Sequence, residues 1–287
     1  MNSVIFVADF FKKDLLGGGE SNDNVLINHL LSNGYKVDCK RCTEITSRDF
    51  GKNKLFIISN FISLTEENKQ NLKNENYIIY EHDHKYVKTR DPSKYKNFLA
   101  TEKNIVNSSF YHNAYAVVVL SKICKEVIEK NLNIKNVYNI GCSLWSEEKF
   151  NYLSTLTSAK KKNKFVVLNS SNPTKNTNEA INFCKKNNID FDLLDPCDER
   201  KLLQELSKYQ GLVFLPSVLE TFSRISAEAK MLNCKLLTKP KLLGFASEKD
   251  IFTLNGEKLI EQLKLRNKKA LQLFLKLLSD MKVNNDE

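Results

Sequence analysis

Two glutamates eight positions apart mark the stretch with the clearest chemical potential. Glu220 and Glu228 lie in GLVFLPSVLETFSRISAE, residues 211–228, where an apolar strand stops at Pro-Ser and a helix follows. Open α/β sheets bind ligands in the loops that follow the carboxyl ends of their strands. The start of a helix offers backbone N–H groups to an anion. This stretch therefore predicts a ligand site with an affinity for phosphate.

A glycine cluster forms a second candidate site. Residues 10–20 read FFKKDLLGGGE and place three of the nine glycines, including Gly18 and Gly19, directly before a predicted helix. Glycine lets backbone N–H groups approach a ligand closely, so the cluster predicts a cradle for a phosphate or a sugar. The pattern is neither G-x-G-x-x-G nor a Walker A sequence, which disfavours dinucleotide and P-loop sites. A plain surface loop is the alternative.

A third candidate is YEHDH, residues 80–84, at the end of a predicted strand. It holds two of the four histidines and two carboxylates. A zinc site needs at least three protein ligands, so His82 and His84 with Asp83 or Glu81 stay open as a set. Alternation along an extended segment would put both histidines on one side. The alternative is a structural histidine at a strand end, and we expect no metal.

Short apolar, β-branched runs alternate with helical stretches along the chain, which indicates parallel α/β sheets. The first half predicts strands at 4–9, 36–42, 54–60, 77–82, 116–121 and 137–140, and helices at 22–33, 65–74 and 122–131. The second half predicts strands at 165–169, 190–194, 212–215 and 235–238, and helices at 177–187, 200–209 and 225–232. Because a long charged segment separates the halves, we expect two Rossmann-like domains, 1–158 and 159–256.

Residues 257–287 carry apolar side chains at helical spacing with lysines between them. Such a helix either lies on an anionic membrane or packs back over the body of the protein, and packing is favoured.

Charge and composition limit the class of partner. Lys and Arg total 44 against 34 Asp and Glu, a formal net charge of +10, yet only 6 of the 44 are Arg. Arg is the residue that reads and stacks on bases, so nucleic acid is disfavoured as the principal ligand. The first residues enter a strand directly, without the pattern of a signal peptide. We expect a cytoplasmic protein, with peripheral contact to the inner face of a membrane as an open alternative.

The segment FLPSVLETFSRISAEAKMLNCKLL, residues 214–237, resembles the E-x7-E block of family 4 glycosyltransferases of the GT-B fold. The Gly17–Glu20 stretch is similar to the glycine loop of that family, and residues 165–175 occupy the place of its G-R-x4-K-G segment. The likeness covers nearly the whole chain in order, but only the E-x7-E block is specific. It implies an α/β fold with two Rossmann-like domains facing across a cleft.

The resemblance also implies a role for each matching residue. Glu228 would accept hydrogen bonds from the ribose of a nucleotide-sugar donor, and Glu220 and His82 would be catalytic groups at the transferred sugar. Lys175 would hold the diphosphate. The other donor-binding residues carried over by position are Gly18, Gly19, Ser170, Thr221, Phe222, Ser223 and Arg224.

Two positions depart from the family pattern. Ser170 stands where the family has a diphosphate-binding Arg, and Ser223 stands where it has Gly. Arg224, at the helix start, is the candidate replacement for the missing cation.

The resemblance as a whole implies a hexosyltransferase that works with retention, without metal or cofactor. Its acceptor would be a glycan, a lipid or a small molecule. The alternatives are a degenerate GT-B module that binds a glycan or nucleotide, and a DNA-directed glycosyltransferase.

Overall fold

The computed structural model describes residues 2–15, 17–51 and 54–286 of the chain. Its contacts divide it into two compact units. The first runs to Trp145 and resumes at Asn267, and the second spans Ser146–Arg266. The division therefore falls before the boundary expected at residue 158. The reason is a helix at Glu147–Leu156 that packs against two helices of the second unit.

The first unit contains six strands and four helices before Trp145, among its described residues. In chain order they are β1 (Asn2–Ala8), α1 (Gly18–Ser32), β2 (Tyr35–Arg41), β3 (Leu55–Ile58), α2 (Glu66–Leu72), β4 (Asn76–Tyr80), α3 (Ser108–Asn113), β5 (Ala116–Val119), α4 (Lys122–Leu132) and β6 (Val137–Asn139).

All six strands form one parallel sheet in the order β2-β1-β3-β4-β5-β6. Every residue of β3 and β5 is buried, as expected for strands covered by helices on both faces. In this sheet β2 lies on one side of β1, and β3 lies on the other. The carboxyl ends of β1 and β3 are therefore a topological switch point, the usual ligand position of such sheets.

The second unit begins with the helix noted above, α5 (Glu147–Leu156). It continues with β7 (Lys162–Leu168), α6 (Thr177–Lys186), β8 (Phe191–Leu194), α7 (Glu199–Ser207), β9 (Tyr209–Phe214), α8 (Arg224–Met231), β10 (Lys235–Thr238), α9 (Gly244–Ser247) and α10 (Lys249–Phe252). Its strands form a parallel sheet in the order β10-β9-β7-β8. The switch point here lies between β7 and β9.

A long helix, α11 (Gly256–Asp286), ends the described chain. The apolar residues of its stripe are buried, from Leu259, Ile260 and Leu263 to Phe274, Leu278 and Met281. The stripe is therefore covered by protein and has no face to offer a membrane. No helix of the described part of the chain is long and apolar enough to cross a bilayer.

The α/β fold class with parallel sheets is confirmed, and the predicted elements are present with small shifts at their ends. The main correction concerns the glycine cluster. α1 begins at Gly18 rather than at residue 22, so Gly18 and Gly19 lie in the first turn of the helix instead of in a loop. Residue 16 of the predicted loop lies outside the described residues. The structure adds α5, of ten residues, and the short helices α3, α9 and α10, none of which the sequence pattern indicated.

Candidate functional site

The best-formed candidate site lies at the switch point of the second sheet. A single 3₁₀ turn, Pro173–Lys175, follows β7, and the loop to α8 follows β9. The two loops are joined where the backbone N–H of Ser217 donates to the carbonyl of Thr174 at 3.0 Å. Lys175 Nζ lies 2.9 Å from Glu220 Oε1, so two predicted site residues 45 positions apart form an ion pair. Both side chains stay partly exposed, at 32% and 15%.

The backbone around Glu220 is fixed by the turn that follows β10. The N–H of Glu220 donates to the carbonyl of Leu242 at 3.0 Å, and Gly244 donates back to the carbonyl of Glu220 at 2.9 Å. Phe245 donates to the carbonyl of Phe222, and the rings of these two residues pack with centroids 5.3 Å apart. The Phe222 side chain is therefore a buried anchor of the loop, and only its backbone lies at the site.

Ser223 turns the chain into α8 in an unusual backbone conformation. Its φ of 73° and ψ of 83° lie in the left-handed region that favours glycine. The resembled family has glycine at this position, and the geometry gives the physical reason. Ser223 Oγ lies 2.8 Å from Ser226 Oγ, a contact that a serine gains and a glycine lacks.

Glu228 is buried in the second turn of α8. Sequence analysis did not identify the lysine that pairs with it. Lys149 Nζ of α5 lies 2.6 Å from Glu228 Oε1 and 2.5 Å from Glu199 Oε1. Arg224 lies farther away, with a guanidinium nitrogen 3.9 Å from Glu228 Oε1. Lys149 is one of 38 lysines and stands far from Glu228 in sequence, so no local signal could have identified it.

Ser170 stabilises its own loop. Its Oγ accepts a hydrogen bond from the backbone N–H of Asn172 at 3.2 Å, and its N–H donates to Thr177 Oγ1 at 3.2 Å. The hydroxyl therefore shapes the turn that carries Lys175. It supplies no positive charge in place of the family's arginine.

In the first unit, the glycine cluster and His82 come together at the switch point of the sheet. A Cβ on Gly19 would lie 3.3 Å from Asn60 Nδ2 and 3.4 Å from His82 Cδ2, which is tighter than most Cβ contacts, so glycine leaves α1 room to approach these side chains. Gly18 is exposed beside it. His82 is buried just beyond the end of β4, at Tyr80.

A carboxylate that sequence analysis did not single out orients His82. Asp23 of α1 is almost fully buried, and its Oδ1 lies 3.0 Å from His82 Nε2. Ser59 donates to the other oxygen of Asp23 at 2.7 Å. The ring of Tyr80 packs on His82 with centroids 4.2 Å apart. An imidazole held by a buried carboxylate has a fixed ring position, as a positioned polar or proton-transfer group requires.

The other charges of YEHDH form a buried network that holds this segment. Lys85 Nζ donates to Glu81 at 2.7 Å and to Asp83 at 2.9 Å, and the hydroxyl of Tyr111 also donates to Glu81. Burial by itself raises the pKa of Glu81, but the charge and hydrogen bond of Lys85 outweigh it and lower that pKa below its ordinary value. The network is a structural support next to His82.

The expected alternation of His82 and His84 is wrong, because His84 has a φ of 60° and the segment turns there. His84 Nδ1 bonds the hydroxyl of Tyr86 at 3.0 Å, away from Asp23. Within the described residues, no group of three His, Cys, Asp or Glu side chains is placed to hold a metal ion.

Solved structures share this fold at low sequence identity. The glycosyltransferase AviGT4, involved in avilamycin A biosynthesis, is 9% identical, covers 99% of both chains and has a TM-score of 0.53. The catalytic domain of starch synthase IV from Arabidopsis thaliana, bound to ADP and acarbose, is 10% identical over 97% of this chain and 99% of that one, with a TM-score of 0.52. An alpha-glucosyltransferase in complex with UDP and a 13-mer DNA containing a central A:G mismatch is 12% identical over 99% and 94%, with a TM-score of 0.51. These likenesses establish the fold of GT-B glycosyltransferases for this chain.

Sequence comparison says less about this chain than structural comparison does. No protein-family model matches the chain. Falcipain-2b of Plasmodium falciparum is 29% identical over 191 residues, which are 60% of this chain and 38% of that protein. The chain therefore spans about two fifths of the length of the curated relative it matches. At this identity and coverage the match does not assign the chain to a family.

Proposed function

We propose that this chain is a glycosyltransferase that moves a hexose from a nucleotide-diphosphate sugar to an acceptor. The observation that carries the proposal is the ion pair of Lys175 and Glu220 at the switch point of the second sheet, next to the start of α8. A cation, a carboxylate and a helix N-terminus at one sheet edge suit a ligand that joins a diphosphate to a polyhydroxylated sugar. The GT-B fold supports the same assignment.

Each donor group has a proposed partner in the second unit. Lys175, Arg224 and the backbone N–H groups of Thr221 and Phe222 stabilise the negative charge that grows on the leaving diphosphate. Glu220 accepts hydrogen bonds from the hydroxyls of the transferred sugar, and Glu228 accepts them from the ribose. Ser170 and Ser223 shape the two loops that carry these groups.

In the proposed mechanism, the sugar is transferred with retention of its anomeric configuration. The acceptor hydroxyl attacks from the face that the diphosphate leaves, and the leaving phosphate oxygen takes the acceptor proton. Since the cations of Lys175 and Arg224 carry the charge stabilisation, the proposal assigns the reaction no metal ion. The cytoplasm is the proposed place of action.

The first unit supplies the remaining proposed groups. We propose that Gly18 and Gly19 are donor-binding residues and that His82 is a catalytic group. Asp23 is the positioning residue for His82, because its carboxylate bonds the ring at 3.0 Å.

A second candidate function is a module that binds a nucleotide or glycan without transferring it. Ser170 and Ser223 favour this alternative, because the first brings no cation to the diphosphate and the second strains the turn that presents the helix. A DNA-directed transferase is a further alternative, supported by the net charge of +10 and by a fold neighbour solved with UDP and DNA. Transfer of the sugar to duplex DNA would distinguish it.

Thermal unfolding of the purified protein with UDP-, GDP-, ADP- and dTDP-sugars tests the proposal. A ligand that binds only the native state raises the melting temperature, so one nucleotide class is expected to stabilise the wild type. Glu228→Gln is expected to abolish that shift, whereas Glu261→Gln, an exposed glutamate of α11, is expected to keep it.

Release of free nucleoside diphosphate from the stabilising donor then separates the enzyme from the binding module. A shift together with slow donor hydrolysis is the result expected of the transferase. A shift without any turnover across acceptors would favour the module. If no donor stabilises the folded protein, the donor site is wrong.

A further inference from the structure

The loop after β1 exposes large apolar side chains beside lysines. Phe10 is 50% exposed and Leu15 is 49% exposed, and the lysines between them, Lys12 and Lys13, are exposed as well. Neither lysine forms an ion pair with another described residue. The one acid of this stretch, Asp14, is paired with Arg41.

The loop is anchored, so the exposure of these side chains is built into the structure. Phe11 points inward, is 8% exposed and packs against Phe6 with ring centroids 6.4 Å apart. The N–H groups of Asp14 and Leu15 both donate to the carbonyl of Phe11, and the N–H of Phe11 donates to Asp14 Oδ2 at 3.0 Å. A closed turn therefore buries one of two adjacent phenylalanines and presents the other to solvent.

A third exposed apolar side chain belongs to the neighbouring loop. Ile62, after β3, is 52% exposed. The carboxylate of Asp9 accepts hydrogen bonds from the N–H groups of Ile62 and Ser63 at 2.7 and 2.8 Å and so ties this loop to the start of the β1 loop. Since β1 and β3 are paired neighbours, Phe10 and Ile62 leave the same edge of the sheet.

We propose that Phe10, Lys12, Lys13, Leu15 and Ile62 form a docking surface for an anionic lipid bilayer. Aromatic and aliphatic side chains next to lysines suit the boundary between acyl chains and acidic headgroups, where burial of apolar area and attraction to the lipid charge add together. The loop offers the positive charges of Lys12 and Lys13, and Asp14, the one acid of residues 10–15, is paired with Arg41. The surface differs from the membrane contact first considered for the C-terminal helix, whose apolar stripe is buried.

The proposal stands independently of the glycosyltransferase assignment, because its test measures binding to vesicles and needs no substrate. The full chain is sedimented with vesicles of phosphatidylcholine and phosphatidylserine in equal parts, and with vesicles of phosphatidylcholine alone. We expect binding to the first, a decrease with added salt and little binding to the second.

Two variants separate the apolar and the charged contributions. Lys12→Ser with Lys13→Ser is expected to weaken binding roughly tenfold, because each lysine near an acidic surface contributes to the attraction. Lys185→Ser with Lys186→Ser, two adjacent exposed lysines of α6, is the matched control and should leave binding unchanged if the surface is specific. Phe10→Ser, Leu15→Ser and Ile62→Ser combined should abolish binding, whereas Leu99→Ser, Leu193→Ser and Leu265→Ser combined should not.

Several outcomes would overturn the proposal. Absence of binding to both vesicles would do so, as would equal binding to both. An equal loss for the control lysines would show that net charge alone drives adsorption. If the apolar variants instead turn a dimer into a monomer by size-exclusion chromatography and vesicle binding is absent, the surface joins two copies of this chain. All variants are surface substitutions, and retained thermal unfolding verifies that they fold.

Discussion

Lys149 Nζ of α5 lies 2.6 Å from Glu228 Oε1 of α8, and both side chains are nearly buried, at 10% and 5% exposure. A buried carboxylate needs a charged partner to remain ionised. The position of Glu228 is thus set by a helix at the beginning of the second unit as well as by its own. Glu199, 2.5 Å from the same ammonium group, completes the arrangement from the start of α7.

Replacement of Lys149 by methionine is expected to lower the free energy of unfolding by about 3 kcal/mol, because the buried carboxylate of Glu228 loses its ion pair at 2.6 Å, and Arg224 lies farther away at 3.9 Å. Urea titration measures the change. Lys264→Met is the matched control in the same unit, since Lys264 pairs with the exposed Glu147 and should cost about 0.5 kcal/mol or less. Lys149→Arg is expected to recover most of the loss. Equal effects for Lys149 and Lys264 would refute the assigned role.

Lys175→Met is expected to weaken donor binding roughly tenfold to a hundredfold, because a charge-assisted contact to the diphosphate is lost. Titration calorimetry with the donor found by thermal unfolding measures it. Lys239→Met is the control, since Lys239 makes a comparable pair with Glu179 in the same unit, at 2.7 Å. An unchanged dissociation constant for Lys175→Met would remove this residue from the site.

Ser223 is expected to tolerate glycine and to reject valine. The left-handed φ of 73° is free of strain only for glycine, and a β-branched residue is the least suited to it. Ser223→Gly relieves the backbone strain but loses the hydrogen bond to Ser226. Because these two effects oppose each other, the substitution should change the free energy of unfolding by about 1 kcal/mol or less. Ser223→Val should cost about 2 kcal/mol or more. Similar unfolding midpoints in urea for the two variants would contradict the assigned backbone strain.

Glu20 of α1 predicts a pH dependence of stability. Burial raises the pKa of its carboxyl above the ordinary value of 4.5, and the charge of Asp23 raises it further. The native state therefore holds this proton more firmly than the unfolded chain, so the contribution of Glu20 to stability falls as pH rises from 4.5 through the raised pKa.

Glu20→Gln removes this ionisation. At about pH 8 the variant is expected to unfold at a higher urea concentration than the wild type. At about pH 4 the two proteins are expected to unfold at the same urea concentration, because the side chain at position 20 is uncharged in both. Glu126→Gln, at an exposed position of α4, should show no such difference between the two pH values. A gain for Glu20→Gln of the same size at both pH values would mean that ionisation is not its cause.

Local sequence identified the strands, most of the helices and the segments that carry polar groups. The strand predicted at 235–238 has the same bounds that the structure has, because its short apolar run lies between Asn233 and Pro240, residue types that mark turns. The backbone conformation of individual turns was harder to predict than the strands. The left-handed residue His84 broke an alternation that the residue types alone favoured.

The family resemblance placed Lys175 and Glu220 in one site, and the strand order of the second sheet explains how they meet. Both residues follow strands, and the sheet makes those strands neighbours, so the pair forms at their common edge. No feature of the sequence indicated which residues pair with the buried charged groups. Asp23 beside His82 and Lys149 beside Glu228 are ordinary helical residues in the printed sequence.

The sequence by itself determined the α/β class, the order of its elements and the residue types available at each strand end, because periodicity and turn residues act over a few neighbouring positions. Only the tertiary structure decided which side chains share a site and which surface stays exposed. Those facts depend on strand order within each sheet and on packing between residues distant in the chain, where the cost of an unpaired buried charge selects the partner.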